Sequence, residues 1–264
     1  MIPSRAELRS FHRRRIAIPV GSGDLVLDVG SGDKPHWRAD VLVDRFPGAE
    51  HAVQRAGSEA ARLSRPLFDA DVTSMPFKDA AFDYVNCSHL LEHVLDPGAA
   101  IAELERVAGA GYVEVPAAGS ARILDFPSHL WWCRLDGGVL TFEAKRALDF
   151  DPDIADYVRQ PGVSADLDAL FRRHLTARLL EVPWVGRLAH RVDGSPTPEL
   201  LAEVEARADD HHGRDSALTR LLTAVLTFHR RKERRAQVRM SNILRADLVP
   251  PGDPVLEPRR YSLG

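Results

Sequence analysis

The Gly30-Ser31-Gly32 turn follows directly on the apolar run LVLDV at 25–29. These residue types let a backbone pass close to a ligand where a side chain would collide. Asp44 closes the next apolar run, ADVLVD. A carboxylate there can accept hydrogen bonds from two ribose hydroxyls more strongly than a neutral group would. Asp71-Val72 follows a third, weaker run, where the carboxylate can accept from an exocyclic adenine amine and the next N–H can donate to the ring. A dinucleotide loop would carry G-x-G-x-x-G with a helix behind it, but Gly32 is followed by Asp33-Lys34-Pro35. The plain alternative is a pair of turn glycines after a strand.

A second group is His89-Leu90-Leu91-Glu92-His93, with polar residues at i, i+3 and i+4, which share one face of a helix. Three readings compete. Glu92 and His93 can brace the scaffold. His89 can act as a general base, since imidazole titrates near working pH. The group can also hold a divalent ion together with His129.

The elements that must position these groups read as strands at 25–29, 39–44, 66–72, 82–87 and 111–115, alternating with helical segments. That pattern predicts a mostly parallel sheet with a ligand crevice at the carboxyl ends of its strands. Residues 89–95 read as a helix. A second helix starts at the Asp96-Pro97 cap, turns Ile101, Leu104 and Val107 to one face, and ends at Gly109. Residues 129–135 and 139–144, on either side of Asp136-Gly137-Gly138, read as an antiparallel hairpin at the end of that sheet. Helices are expected at 4–16, 165–175, 198–208 and 216–238, with an irregular tail at 250–264.

The net charge of −3 argues against a nucleic-acid partner. Cys87 and Cys133 make neither a disulfide framework nor a C-x-x-C zinc site. No apolar run approaches the ~18–20 residues of a membrane span, and a cytoplasmic protein is the expectation.

The blocks VLDVGSG, VLVD, DVTSMPFKDAAFDYV, LLEHVLDP and ELERV, in this order over residues 24–116, resemble the class I S-adenosylmethionine (SAM)-dependent methyltransferases, above all their type 11 branch. The resemblance implies a Rossmann-like α/β fold, SAM as cofactor and methyl transfer. It implies that Gly30, Ser31 and Gly32 wrap the methionine and ribose part, and that Asp28 orders the loop and approaches the amino group. Asp44, with Arg45 beside it, would hold the ribose, Asp71 and Val72 would meet the adenine, and Cys87 and Ser88 would line the sulfonium side. Only 11 residues separate Gly32 from Asp44, and Pro35 is among them, so the family's first helix should be a turn or absent. Lys34, His36 or Arg38 would then neutralise the methionine carboxylate.

The expected organisation is a basic segment at 1–19, a SAM-binding domain at 20–146 and a mainly helical extension at 147–264. The extension would complete the acceptor pocket or form a homo-oligomer contact. The expected function is methyl transfer to a hydroxyl or amine of a small molecule or glycan, with His89 and His129 as the catalytic candidates. The alternatives are a SAM-binding regulatory or assembly protein without turnover, and an RNA methyltransferase. Trp131 and Trp132 could form an acceptor platform or hairpin core. Asp209-Asp210-His211-His212 reads as solvated loop. The cations at 230–235 read as a solvated helix end or a contact for an anionic acceptor.

Overall fold

The computed structural model describes residues 5–48, 60–123, 126, 128–146, 152–206, 217–228 and 237–263. After helix α1 (Arg5–Arg15), five strands carry the main sheet: β1 (Val26–Val29), β2 (Val41–Val43), β3 (Leu67–Asp69), β4 (Tyr84–Ser88) and β5 (Ala110–Pro116). They run parallel in the order β3-β2-β1-β4-β5. Their near-continuous apolar character suits strands covered on both faces. Val26, Leu27, Val41, Leu42, Val85 and Val113 are fully buried.

Between β1 and β2 there is no helix, as the short spacing and Pro35 anticipate; residues 30–40 form turns. Arg38 is buried and closes this connection, donating to Asp40 and to the carbonyls of Gly21 and Asp24. It is thus held as a structural cation, which leaves Lys34 and His36 of the three alternatives for the ligand carboxylate.

Helix α2 (Pro97–Val107) begins where Asp96 accepts the Ala99 N–H at 2.8 Å, and it buries Ile101, Leu104 and Val107 against the sheet. A short helix, α3 (Ala118–Ala121), follows β5. Strands β6 (Trp131–Asp136) and β7 (Val139–Ala144) form the expected hairpin, with positive φ at Gly137 and Gly138 as a two-residue turn requires. The hairpin does not end the main sheet, however. It joins β9 (His190–Asp193) in a separate three-stranded sheet.

Segments after residue 146 also add strands to the main sheet. Helices α4 (Pro152–Arg159), α5 (Pro161–Arg173) and α6 (Leu175–Arg178) lead into β8 (Leu179–Val185), which pairs antiparallel with β5. After α7 (Pro198–Ala206) and α8 (Ala217–Leu226), the tail returns as β10 (Arg260–Ser262), parallel to β3. Both edges of the seven-stranded sheet therefore come from the extension. The edge strands of the first five would otherwise show unpaired backbone groups, which favours strand addition.

Trp131 and Trp132 are both buried, on opposite faces of the hairpin. Trp131 joins the main core, and its indole N–H donates to the Val94 carbonyl. Trp132 packs on Ala118 and Ala121, with the Arg122 and Lys145 cations 4.6 and 4.5 Å from its ring. Neither offers an open platform.

Candidate active site

The glycine turn leaves β1 at its carboxyl end and folds back on β2: the Gly30 and Ser31 N–H groups both donate to the Val43 carbonyl, at 2.8 and 3.3 Å. Gly30 has φ +69°, and a β-carbon there would lie 3.0 Å from the Leu90 Cβ. Glycine is therefore required by backbone conformation and by Leu90, before any ligand is considered. Gly32 has φ +49°, and its N–H donates to Asp44 Oδ2 at 2.9 Å. The other Asp44 oxygen accepts from the Phe46 N–H. The residue expected to hold a ribose thus also fixes the turn. Each of its oxygens keeps a further lone pair. The Ser31 hydroxyl is buried and has no hydrogen-bond partner among the described residues.

Asp28 lies beneath the turn, buried, accepting from the His36 N–H at 2.7 Å and from Asn86 Nδ2 at 2.6 Å. Burial pushes its carboxyl up to about 6, against the opposing pull of those two hydrogen bonds. Asn86 was not singled out in the sequence; it is a polar residue inside an apolar strand, β4.

Asp71 stands beyond β3. Burial tends to raise its pKa, but the Thr73 N–H and hydroxyl, together with Arg45 at 2.5 Å, lower it below the ordinary value. Val72 beside it is buried. Cys87 sits in the hydrophobic core, and burial raises its thiol pKa, so its side chain does not line an open crevice. Ser88, half-buried, ends β4.

His89 is not helical. Its φ is +55°, its N–H donates to the Glu114 carbonyl, and the expected helix shrinks to one 3₁₀ turn at Leu91–His93. The ring is 44% exposed and bridges two carboxylates: Nδ1 lies 3.2 Å from Glu92 Oε1 and Nε2 lies 3.1 Å from Glu114 Oε1. Desolvation would lower this imidazole, but the hydrogen bonds to Glu114 and Glu92 prevail and push it up to about 9. Glu114 also accepts from both ends of the Arg14 guanidinium and from the Tyr112 hydroxyl. Its carboxyl is buried, which would raise its pKa, yet His89 and Arg14 hold it well below the usual range. Sequence reasoning missed Glu114 and Arg14. The available signal was a lone glutamate in the buried run GYVEVP.

Glu92, His93 and His129 gather beside this bridge, each with one ligand-type atom, all within 4.8 Å of one another. His129 is buried; its ring meets His93 edge-on at 4.8 Å and Phe126 at 5.1 Å. Burial holds the His129 and His93 imidazoles below their ordinary value. His129, a catalytic candidate and possible metal ligand from the sequence, is thus buried and packed against His93. Asp209–His212 and the cations at 230–235 lie outside the described residues.

Residues 27–112 match the family model described as "Methyltransferase domain". A curated relative, demethylmenaquinone methyltransferase of Thermus thermophilus, is 30% identical over 46% of this chain and 50% of its own length. 27-O-demethylrifamycin SV methyltransferase of Amycolatopsis mediterranei is 33% identical over 34% of this chain and 36% of its own. The chain thus spans half or less of the length of these relatives. Among solved structures, a SAM-dependent methyltransferase from Mesorhizobium loti aligns over 68% of this chain and 97% of its own, at 14% identity and a TM-score of 0.35.

Proposed function

We propose that residues 27–112, which match the model "Methyltransferase domain", form a class I SAM-dependent methyltransferase domain of the type 11 family, and that this protein binds SAM at the Gly30–Gly32 turn and transfers its methyl group to a small-molecule hydroxyl or amine. The observation that carries the reading is the clasp between Asp44 and the Gly32 N–H, with the buried Ser31 hydroxyl left without a partner in the same turn. A buried hydroxyl without a partner is costly, and a polar ligand would satisfy it. The residues present therefore fit the cofactor.

SAM, when bound, supplies an electrophilic methyl group and its own leaving group. The chain's part is to hold and orient. Gly30 to Gly32 give close backbone approach. Asp28, ionised, would meet the amino group. Asp44 would accept from the ribose hydroxyls, and Asp71 with the Val72 N–H would meet the adenine edge. Ser88 and His89, at the end of β4, would face the acceptor. Both His89 nitrogens are engaged by carboxylates, so we assign His89 a positioning role; a base role would require one carboxylate to let go. Both curated relatives carry small-molecule acceptors in their names, which supports that acceptor class.

Calorimetry with SAM and its demethylated product tests the reading. One site per chain is expected, weakened in Asp44→Ala. Binding that is absent, or that is untouched by this substitution, would overturn it. His89→Gln should leave SAM affinity unchanged and alter the acceptor KM and kcat.

A further inference from the structure

We propose that Glu92, His93 and His129 form a binding site for a divalent transition ion such as Zn²⁺. Two imidazoles and one carboxylate are a donor set that ions of this class favour. They come from two segments distant in sequence, the turn after β4 and the lead-in to β6. Three hydrogen bonds clamp those segments together: Leu130 N–H to the Glu92 carbonyl (2.8 Å), Trp131 Nε1–H to the Val94 carbonyl (2.8 Å), and His93 Nδ1 to the Ser128 carbonyl (3.0 Å). The donors are therefore preorganised.

Two buried atoms in this cluster have no hydrogen-bond partner among the described residues: Glu92 Oε2, on a fully buried side chain, and His129 Nδ1, on a residue 5% exposed. Native interiors seldom leave such atoms unsatisfied, and here two occur in one group of three residues. The atoms around the ligands match metal sites as well. A carbonyl acceptor at His93 Nδ1 fixes the tautomer whose Nε2 carries the lone pair, the usual outer partner of a ligating histidine. Glu92 Oε1 likewise meets His89, which leaves Oε2 for the ion.

Donors ~2.1 Å from a common ion lie about 3.4–4.2 Å from one another. The observed spread of at most 4.8 Å needs an inward shift of under about 1 Å. His93 is half-buried, which gives the ion a route in, and a cavity of about 10 Å³ borders His129 with room for roughly one water. This site does not depend on the methyl-transfer reading: a chain that binds no SAM could still hold the ion, and the reverse.

The full chain, freed of metal with chelator, is titrated with Zn²⁺ by calorimetry and with Co²⁺ by visible absorption. The expectation is one ion per chain, a raised melting temperature, and Co²⁺ bands of a low-coordinate nitrogen–oxygen site. His93→Gln, at a half-buried position, and His129→Asn should each weaken Zn²⁺ binding at least about tenfold and abolish the Co²⁺ bands. Substoichiometric binding to the native chain would overturn the site. So would stoichiometric binding that both folded variants retain, which would place the ion at other residues. If His129→Asn fails to fold, His93→Gln and the native Co²⁺ spectrum still decide.

Discussion

Glu114 on β5 and Glu181 on β8 stand directly opposite one another in the antiparallel pairing of those strands. Like charges in such register repel. Helix α1 answers both: Arg14 donates to Glu114, while Arg13 and Ser10 donate to Glu181 at 2.5 Å. The N-terminal helix is thereby tied to the His89 bridge through Glu114.

Arg14→Met should therefore destabilise the chain by about 3 kcal/mol, because it leaves a buried carboxylate with only His89 as counter-charge. Urea unfolding measures this. Arg13→Met, at a half-exposed guanidinium whose partner Glu181 keeps the Ser10 hydroxyl, should cost less than Arg14→Met.

Glu114 also sets an acid limit. Its carboxyl is held below the ordinary value, so its stabilisation is complete above that value and is lost as pH falls through the lower, folded one. Unfolding free energy measured from pH 6 down to pH 3 should fall with acid in the native chain and fall less steeply in Glu114→Gln. Equal slopes would show that Glu114 contributes nothing to acid sensitivity.

Asp28 works with the opposite sign. Between the ordinary value of 3.8 and its own of about 6, the folded chain keeps a proton that the unfolded chain has released. Its contribution to stability thus declines as pH rises through that window, then levels. A ligand ammonium favours the ionised carboxylate. SAM affinity should rise from pH 5 to pH 6–7, by up to about tenfold, and then flatten. Asp28→Asn should remove the rise. A calorimetric series that is flat in the native chain would sink the assignment of Asp28 to the amino group.

Asp44→Ala should weaken SAM binding by the equivalent of about 1.5–3 kcal/mol, the range for hydrogen bonds to charged groups. Part of that loss comes from releasing the Gly32 and Phe46 N–H groups. Adenosine, which carries the same ribose, should lose affinity in parallel; an unchanged adenosine affinity would move the ribose away from Asp44.

Gly30→Ala should cost about 1–2 kcal/mol of stability through the left-handed backbone alone. Adding Leu90→Ala would remove the two Cδ contacts at 3.1 Å, keep the Cβ contact at 3.0 Å, and leave that strain. A double variant as stable as Leu90→Ala alone would falsify the strain account.

The local devices of this protein were legible in its sequence. The Gly30–Gly32 turn, the Asp96 cap of α2 and the Gly137-Gly138 hairpin are fixed by residues a few positions apart, and φ preference and capping act at that range. The missing helix between β1 and β2 followed from chain length and Pro35. The five apolar runs became the parallel strands because burial on both faces demands such runs. What the sequence did not determine was which distant residues meet. His89 looked helical from its spacing, but Glu114, on the neighbouring strand, captures its backbone N–H and its ring and holds it at positive φ. His129 is 36 residues from His93 in the sequence, and only the fold packs the two rings together. The extension looked separate, yet β8 and β10 complete the sheet. Each outcome is a pairing between segments tens of residues apart or more, decided by backbone hydrogen bonding and charge compensation that only the folded chain brings within reach.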